Sequence, residues 1–306
     1  MFNYRHFSLM TFFVVAALAS CMEGQMQQAD SDFDTGVKEP SYSDDHPVLL
    51  FDEGHNNFHT STGRYKPFAQ VAKNDGYKIE ALSGSVTPDK LSSAAVYIIA
   101  NAAGRNEAGD SPAFTPEECN VIEQWVSNGG SLLLIADHFP FGSAAQVLGD
   151  KFGLHFQGGS VQDSMHYDTA SYNDSQLVFS KENGLLAEHP ITEGISKVIS
   201  FTGQSIKCMD SCFAFMVLSP SAYDLEAQSK VIQDGNDTRV EVNYVNPSSA
   251  FGRAQGVALS HGNGRVVAMG EAAMLTAQKM KESKFGMNYH PENKQLLLNI
   301  LHWLTD

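Results

Sequence analysis

Short apolar runs alternate with longer amphipathic segments from residue 47 onward. The runs at 48–52, 95–100 and 131–136 are uninterrupted, which is typical of strands covered on both faces. A segment with helical spacing follows each of them. This alternation predicts an α/β fold in which the three strands are adjacent, parallel and mainly buried.

End signals locate several of the predicted helices. A first helix falls within 64–77, and Thr115 with Glu118 forms a capping-box pattern that opens a helix ending near Gly129. A last amphipathic helix spans 291–306, and its predicted buried positions are Leu296, Leu297, Ile300, Leu301 and Leu304. Residues 155–183 show no clear pattern, whereas the second half of the chain is richer in strand-like segments.

The first twenty residues have the pattern of an export signal. Arg5 precedes an apolar core of signal-peptide length, and "LASC" at 18–21 resembles the lipobox of bacterial lipoproteins. That resemblance implies that Cys21 becomes the lipid-modified N-terminus of a protein of the bacterial cell envelope, facing the periplasm or the cell surface. The alternative is an ordinary secretory signal that is cut nearby.

An acidic, polar stretch follows the signal. Residues 21–46 contain few apolar side chains, so they are predicted to form a disordered tether. The whole chain carries a formal net charge of −15, and residues 1–20 contribute one arginine and no acid. Such a charge argues against nucleic acid as a partner, and it leaves the lipid as the expected link to the membrane.

Three cysteines lie downstream of Cys21. Cys208 and Cys212 are near enough in sequence to close a small disulfide loop, which an oxidising compartment would allow. Cys119 falls on a helix face and is predicted to be a buried apolar residue.

Three segments carry a resemblance to a known superfamily. They are "EECNVIEQWVSNGGSLLLIADHFPFGSAAQVLGDKFGL", "HPITEGI" at 189–195 and the late "LLLNILHWL". Together they resemble class I glutamine amidotransferase-like domains, especially the ThuA-like and exported branches. The resemblance implies one domain over residues 47–306, with a three-layer, flavodoxin-like, mainly parallel sheet and β-rich additions in its second half.

The residues at one turn argue against the activity for which this superfamily is named. Its amidotransferases carry a nucleophilic cysteine between the strand and the helix, where this chain has Ala136 to Pro140. Neither Asp137 nor His138 can replace a thiolate in thioester chemistry. Cysteine-dependent glutamine hydrolysis is therefore not expected.

Polar residues cluster where the predicted strands end. In open α/β sheets, ligands bind beyond the carboxyl ends of the strands, so these residues are the candidate site. The catalytic candidates are Asp52, Glu53, Asp137, His138 and Glu271. The ligand-binding candidates are Asn56, Asn101 and Arg105. The metal-binding candidates are His55 and His59.

Each of these residues also has an alternative role. His55 and His59 are spaced to bind a divalent metal such as zinc if the loop is helical, but Asn56 and Asn57 favour an irregular turn. A carboxylate at a strand end, such as Asp52 or Asp137, often only accepts backbone N–H groups.

Two further candidates have similar alternatives. Glu271 either faces the crevice or caps the next helix, and Arg105 either clamps an anion or is solvated.

Two function classes follow from the sequence. The first is an envelope hydrolase that acts by acid–base chemistry on a small polar or carbohydrate ligand, and sugars are suggested by the ThuA-like resemblance. The second is a non-catalytic lipoprotein that binds a ligand or partner in the same crevice.

Overall fold

The structure is a computed structural model that describes residues 12–14, 27–44, 46–209, 211–235 and 237–306. Most of the predicted signal segment and the predicted lipidation site, Cys21, lie outside the described residues. None of the helices in the described ranges is long and apolar enough to cross a membrane.

The helices and strands are numbered here in chain order. The helices are α1 (Lys66–Asn74), α2 (Pro88–Leu91), α3 (Pro116–Ser127), α4 (Phe141–Asp150) and α5 (Glu292–Thr305). The strands of the first half are β1 (Phe12–Val14), β2 (Gln28–Ala29), β3 (Val48–Asp52), β4 (Lys78–Leu82), β5 (Val96–Ala100), β6 (Ser131–Ile135), β7 (Leu154–Phe156), β8 (Ser160–Asp163) and β9 (Val178–Ser180). Those of the second half are β10 (Lys197–Ile199), β11 (Ile206–Cys208), β12 (Phe213–Val217), β13 (Ala222–Asp234), β14 (Asp237–Ser249), β15 (Ala254–His261), β16 (Gly264–Met269), β17 (Ala277–Met280) and β18 (Ser283–Gly286).

A mixed sheet of nine strands dominates the described part of the chain. Its order is β4, β3, β5, β6, β16, β15, β11 and β7, and β12 also pairs with β15. The pairs from β4 to β16 are all parallel, which confirms the predicted adjacency and direction of the first, third and fourth core strands. The remaining strands pair in antiparallel fashion, so the protein is an α/β protein with a parallel half and an antiparallel half.

Helices cover both faces of this sheet. Side chains of α1 and α5 pack with Leu49, Ile98 and Val267 on one face. Side chains of α3 and α4 pack with Tyr97 and Leu134 on the other face. The uninterrupted apolar runs of the parallel strands are thereby explained, since alternate side chains face two different helix layers.

The helix ends agree with their sequence signals. Thr115 and Glu118 form the predicted capping box at the start of α3. The five leucine and isoleucine positions predicted to be buried in the last helix are all buried in α5. Cys119 is a free, buried cysteine as expected, and Cys208 is bonded to Cys212.

The N-terminal segment differs from the prediction of a disordered tether. Residues 27–44 lie against the domain, where β2 pairs with β17 and Phe33, Val37 and Tyr42 pack on the core. Asp30 is buried and accepts hydrogen bonds from Asp32 N and Asn288 Nδ2. The few apolar side chains of this segment are spaced to meet the domain one at a time, a pattern that composition alone does not reveal.

A long hairpin, formed by β13 and β14 and called the arm below, belongs to a second sheet of the described chain. Residues Ala222 to Leu225 at its base pair with β8, and β1 lies along the outer edge of β14. The arm extends beyond this base and packs on the loop that follows β6, where Phe139, Val240 and Val242 form a small apolar cluster. The arm therefore reaches the edge of the large sheet where the parallel strands end.

Candidate active site at the carboxyl edge of the sheet

Asn101 joins the three loops that leave β3, β5 and β6. Its backbone N–H donates to Ile135 O at 2.9 Å, and its carbonyl accepts the N–H of Phe58 at 2.9 Å. Its side-chain oxygen accepts the N–H of Asp137 at 3.0 Å. The residue has a φ of 53°, a left-handed conformation that asparagine tolerates better than most residues. The sequence prediction that these loops meet is confirmed at this residue.

A buried network holds the first of the candidate residues, Asp52. Its Oδ1 accepts a hydrogen bond from His55 Nδ1 at 2.8 Å, and its Oδ2 accepts one from Asn57 Nδ2 at 2.9 Å. The other ring nitrogen of His55, Nε2, lies 3.1 Å from Glu118 Oε1. Both nitrogens of His55 are thus directed at carboxylates.

The negative charges of Asp52 and Glu118 favour the protonated form of His55, which lies between them. Burial opposes the charged form of His55, but the hydrogen bonds and negative charges of Asp52 and Glu118 outweigh it and raise the pKa of the ring. Burial also opposes the ionised form of Glu118, yet hydrogen bonds from Thr115, Val86 and His55 lower its pKa to about 2. Because its nitrogens are both engaged, His55 stabilises the loop and has no free lone pair for a metal.

Glu53, Asn56 and Asn57 also shape this loop. Oε1 of Glu53 accepts the N–H of Ser61 at 2.8 Å and its hydroxyl at 2.6 Å. Asn57 accepts the N–H of His55 at 3.0 Å, and Asn56 is exposed with a φ of 50°. Most of the polar residues of "DEGHNNFH" are therefore used to build an irregular turn.

Asp137 and Glu271 form a second pair of acidic side chains in the site. Glu271 is fully buried, and its two oxygens accept the N–H groups of Ala273 at 2.6 Å and Met274 at 2.8 Å. Asp137 Oδ1 accepts the N–H of His138 at 2.7 Å. Burial raises the pKa of Asp137 to about 8, and burial together with the charge of Asp137 raises the pKa of Glu271. The pair therefore retains a proton at neutral pH.

Backbone N–H groups contact both members of the pair. Both oxygens of Glu271 receive backbone N–H groups, which favour its ionised form. Asp137 likewise accepts hydrogen bonds from the backbone N–H groups of His138 and Ala272. The two carboxyl groups therefore share one proton, and the predicted capping role of Glu271 is fulfilled at the short 3-10 helix Ala273–Leu275.

His138 supplies a neutral imidazole beside this pair. Its Nδ1 lies 2.9 Å from the carbonyl oxygen of Phe139, and since a carbonyl can only accept, Nδ1 carries the hydrogen. Burial lowers the pKa of His138, so the ring is neutral near pH 7 and keeps a lone pair on Nε2.

His59 lies in the same environment. Burial first, and then the positive charge of Arg64, lower the pKa of His59 to about 3. Its ring stacks on Tyr65 with 4.7 Å between centroids, and its buried Nδ1 has no hydrogen-bond partner among the described residues. His59 is therefore a neutral, buried ring that packs on Tyr65.

Three residues that the sequence did not single out line this region. The hydroxyl of Tyr65 donates to Ala272 O at 2.6 Å, and that of Tyr244 lies 3.4 Å from His138 Nδ1. Gln255 is fully buried, and neither polar atom of its amide has a hydrogen-bond partner in the described part of the chain. A Cβ on Gly203 would lie 2.5 Å from Gln255 Nε2 and 2.8 Å from the Cβ of Glu271, so Gln255 is a close neighbour of the carboxyl pair.

Arg105, the last of the ligand-binding candidates, lies away from this cluster. Arg105 is exposed on the loop after β5, and no contact of its guanidinium is described. Within 27–44, 46–209, 211–235 and 237–306, no three His, Cys, Asp or Glu side chains gather in a way that could hold a metal ion. Asp137, Glu271, His138 and His59 are titratable side chains that lie in this region.

No family model and no curated protein matches the chain. Among solved structures, the mmIFT52 N-terminal domain is similar over 84% of this chain and 97% of that domain, with 15% identity and a TM-score of 0.59. Cytoplasmic Protein STM3548 from Salmonella typhimurium is similar over 84% of this chain and 98% of its own, with 12% identity and a TM-score of 0.46. Exo-beta-1,4-mannosidase Op5Man5 from Opitutaceae bacterium strain TAV5 is weakly similar over 84% of this chain and 35% of its own, with 11% identity and a TM-score of 0.39. The first likeness shows the α/β fold alone.

Proposed function

We propose that the protein is a hydrolase that acts by acid–base catalysis on a small polar or carbohydrate ligand at the carboxyl edge of its sheet. The observation that carries this proposal is the buried pair of Asp137 and Glu271 beside the neutral ring of His138. Two carboxyl groups and an imidazole in one buried site supply both a proton donor and a proton acceptor near neutral pH.

The proposed reaction divides these roles between two adjacent residues. His138 Nε2 accepts a proton from water as the water oxygen forms a bond to the substrate carbon. Asp137 gives its proton to the oxygen of the leaving group as the bond between that oxygen and the carbon breaks. Glu271 acts on Asp137 through its charge, which keeps the donor protonated until the leaving group accepts the proton.

A second candidate is a protein that binds the same kind of ligand without catalysis. The observation that favours it is the use of both Glu271 oxygens by backbone N–H groups, which is a structural role. In such a protein, Asp137 and His138 would only form hydrogen bonds to the ligand, and no turnover would accompany binding.

We also propose a flavodoxin-like, class I glutamine amidotransferase-like origin for the domain. The spatial order of β4, β3, β5 and β6 and the helices on both faces support it. Ala136 to Pro140 still hold no cysteine, while Cys119 lies within α3 and Cys208 is disulfide-bonded. The proposal therefore concerns the fold and not glutamine hydrolysis.

For the location, we propose the bacterial envelope, with a lipid on Cys21 as the link to the membrane. Support comes from "LASC" after an apolar core and from the acidic composition of the chain, which gives it little affinity of its own for anionic lipid.

Turnover of chromogenic compounds tests the proposed reaction. The purified protein is assayed with a panel of p-nitrophenyl glycosides and with p-nitrophenyl acetate, and binding of the same glycosides is measured by calorimetry. Asp137→Asn should abolish turnover, because it removes the transferable proton and keeps the shape. Asp52→Asn is the matched control, since that strand-end acid serves the His55 network and should leave turnover intact. Binding without turnover in the wild type would favour the second candidate, and equal turnover in Asp137→Asn would refute the role of Asp137.

A further inference from the structure

One face of the arm is directed at the candidate site. Val240, Val242 and Tyr244 alternate along β14, so their side chains share one face. Across the hairpin, Tyr244 is paired with Ala227 and Val240 with Val231, and these residues belong to the same apolar cluster as Phe139. Phe139 directly follows His138, so the arm packs on the site's own turn.

In the contact between Tyr244 and His138, the hydroxyl of Tyr244 accepts a hydrogen bond and does not use its own hydrogen. His138 Nδ1 carries its hydrogen, so at 3.4 Å it meets the hydroxyl oxygen of Tyr244 as a donor. The Tyr244 hydroxyl hydrogen then has no acceptor among the described residues. Burial and the negative charge of Asp137 raise the pKa of Tyr244, so the group stays a hydroxyl at neutral pH.

A bulge separates the part of the arm over the site from its base. The base, Ala222 to Leu225, is held by β8, and the register shifts between Asp224 and Glu226. Asn246, which has a φ of 51°, faces this irregularity and donates to Glu226 Oε2 at 2.9 Å. Bulges bend a strand and interrupt its hydrogen-bond ladder, so this is the point about which a movement of the arm would occur.

The site is closed in this conformation. Asp137 is 7% exposed, His59 is 4% exposed and Glu271 is fully buried. A ligand that reaches Asp137 therefore requires some covering element to move. The apolar cluster between the arm and Phe139 is small compared with the two main cores, so it is the contact that separates most easily.

We propose that the arm is the movable cover of the site and that Tyr244 is its ligand-contacting residue, donating its hydroxyl hydrogen to a polar group of the bound molecule. This inference rests on the proposed function for the nature of the ligand. It adds a residue from a distant part of the chain to a site otherwise built by strand-end loops.

Histidine accessibility tests the cover without any ligand. The full-length protein as expressed is treated with diethyl pyrocarbonate, which modifies neutral imidazoles, and modified peptides are quantified by mass spectrometry. Val242→Ser weakens the contact with Phe139, so modification of His138 and His59 should be faster by about tenfold or more. A change of this size corresponds to the free energy of burying a valine side chain. His55, held between two carboxylates, is the internal reference and should not change.

Ile232→Ser is the matched control for the arm. Ile232 lies on the opposite face, one position beyond Val231, and it is not part of the cluster with Phe139. It should leave the modification rates of His138 and His59 near those of the wild type. Unchanged rates in Val242→Ser, or equal acceleration in both variants, would overturn the cover.

Tyr244→Phe tests the ligand contact. It keeps the ring on Phe139, so His138 should remain as protected as in the wild type. Turnover or binding of the p-nitrophenyl glycosides that the wild type accepts should fall by about tenfold or more, as for loss of one hydrogen bond to a bound group. Wild-type turnover and affinity in this variant would overturn the contact. If the wild type accepts none of these compounds, the proposed function fails together with the contact, whereas the accessibility result still decides the cover.

Discussion

The side-chain oxygen of Asn101 accepts the backbone N–H of Asp137 at 3.0 Å, so the end of β5 fixes the turn that carries the candidate proton donor. The same residue accepts the N–H of Phe58 through its carbonyl. The position of Asp137 relative to His59 therefore depends on one buried asparagine.

Asn101→Ala should destabilise the protein through this contact. The change leaves the N–H of Asp137 without its partner, at a cost of about 1–3 kcal/mol. Asn56→Ala is the matched control, because Asn56 has a similar positive φ but an exposed side chain. Urea unfolding of both variants should show the larger loss for Asn101→Ala. Equal losses of unfolding free energy in the two variants would mean that the effect at Asn101 comes from its backbone conformation and not from its hydrogen bond to Asp137.

Asp137→Asn should change how stability depends on pH. The pKa of Asp137 rises from 3.8 to about 8 in the folded protein, so its stabilising contribution is complete below pH 3.8 and is lost as the pH rises through about 8. The asparagine variant lacks this dependence. As the pH is raised from 5 to 9, the melting temperature of the variant should therefore rise relative to that of the wild type. Differential scanning fluorimetry measures both temperatures. A constant difference over that range would contradict the shifted pKa.

His55→Gln should weaken the fold and spare the site. Removing the imidazolium leaves Asp52 and Glu118 buried without their shared partner, which costs about 3–5 kcal/mol. His155→Gln, at an exposed position, is the control. Urea unfolding measures the loss, and metal analysis of protein purified without chelator should find no change in zinc content. Loss of a bound metal in His55→Gln would restore the metal hypothesis.

Cys21→Ser should release the protein from membranes. A lipid on Cys21 would dominate the membrane affinity of a chain with a net charge of −15. After cell fractionation, the variant should appear in the soluble periplasm or the medium, whereas the unchanged protein should sediment with membranes. Membrane retention of the variant would disprove the anchor.

The sequence predicts the parallel half of the sheet well, because the signals there are local. Apolar runs, a capping box and glycine at helix ends each depend on a few neighbouring residues, and β3, β5, β6 and α3 form where those signals lie. The capping role of Glu118 was visible in the same way. Its second contact, with His55, joins residues 63 positions apart and has no local signal.

The candidate site is less predictable for the same reason. Local patterns indicated that Asp52 and Asp137 follow buried strands, but they could not tell that Asp52 serves His55 while Asp137 is adjacent to Glu271. Tyr244 lies in β14, and only the length and direction of the arm bring it to His138. The docked segment 27–44 was mistaken for a tether because its apolar residues are too few to form a recognisable pattern.

If Cys21 carries a lipid, the docking of β2 on β17 also limits how far the domain can travel from it. A free tether up to residue 46 would allow an extended reach on the order of 80–90 Å. Because Gln28 is paired in the sheet, the seven residues that follow Cys21 up to Gln28 can span at most about 25 Å. A protein anchored in this way stays within one domain diameter of the bilayer, so it would meet ligands released at or passing through that membrane and could not reach across to the opposite one.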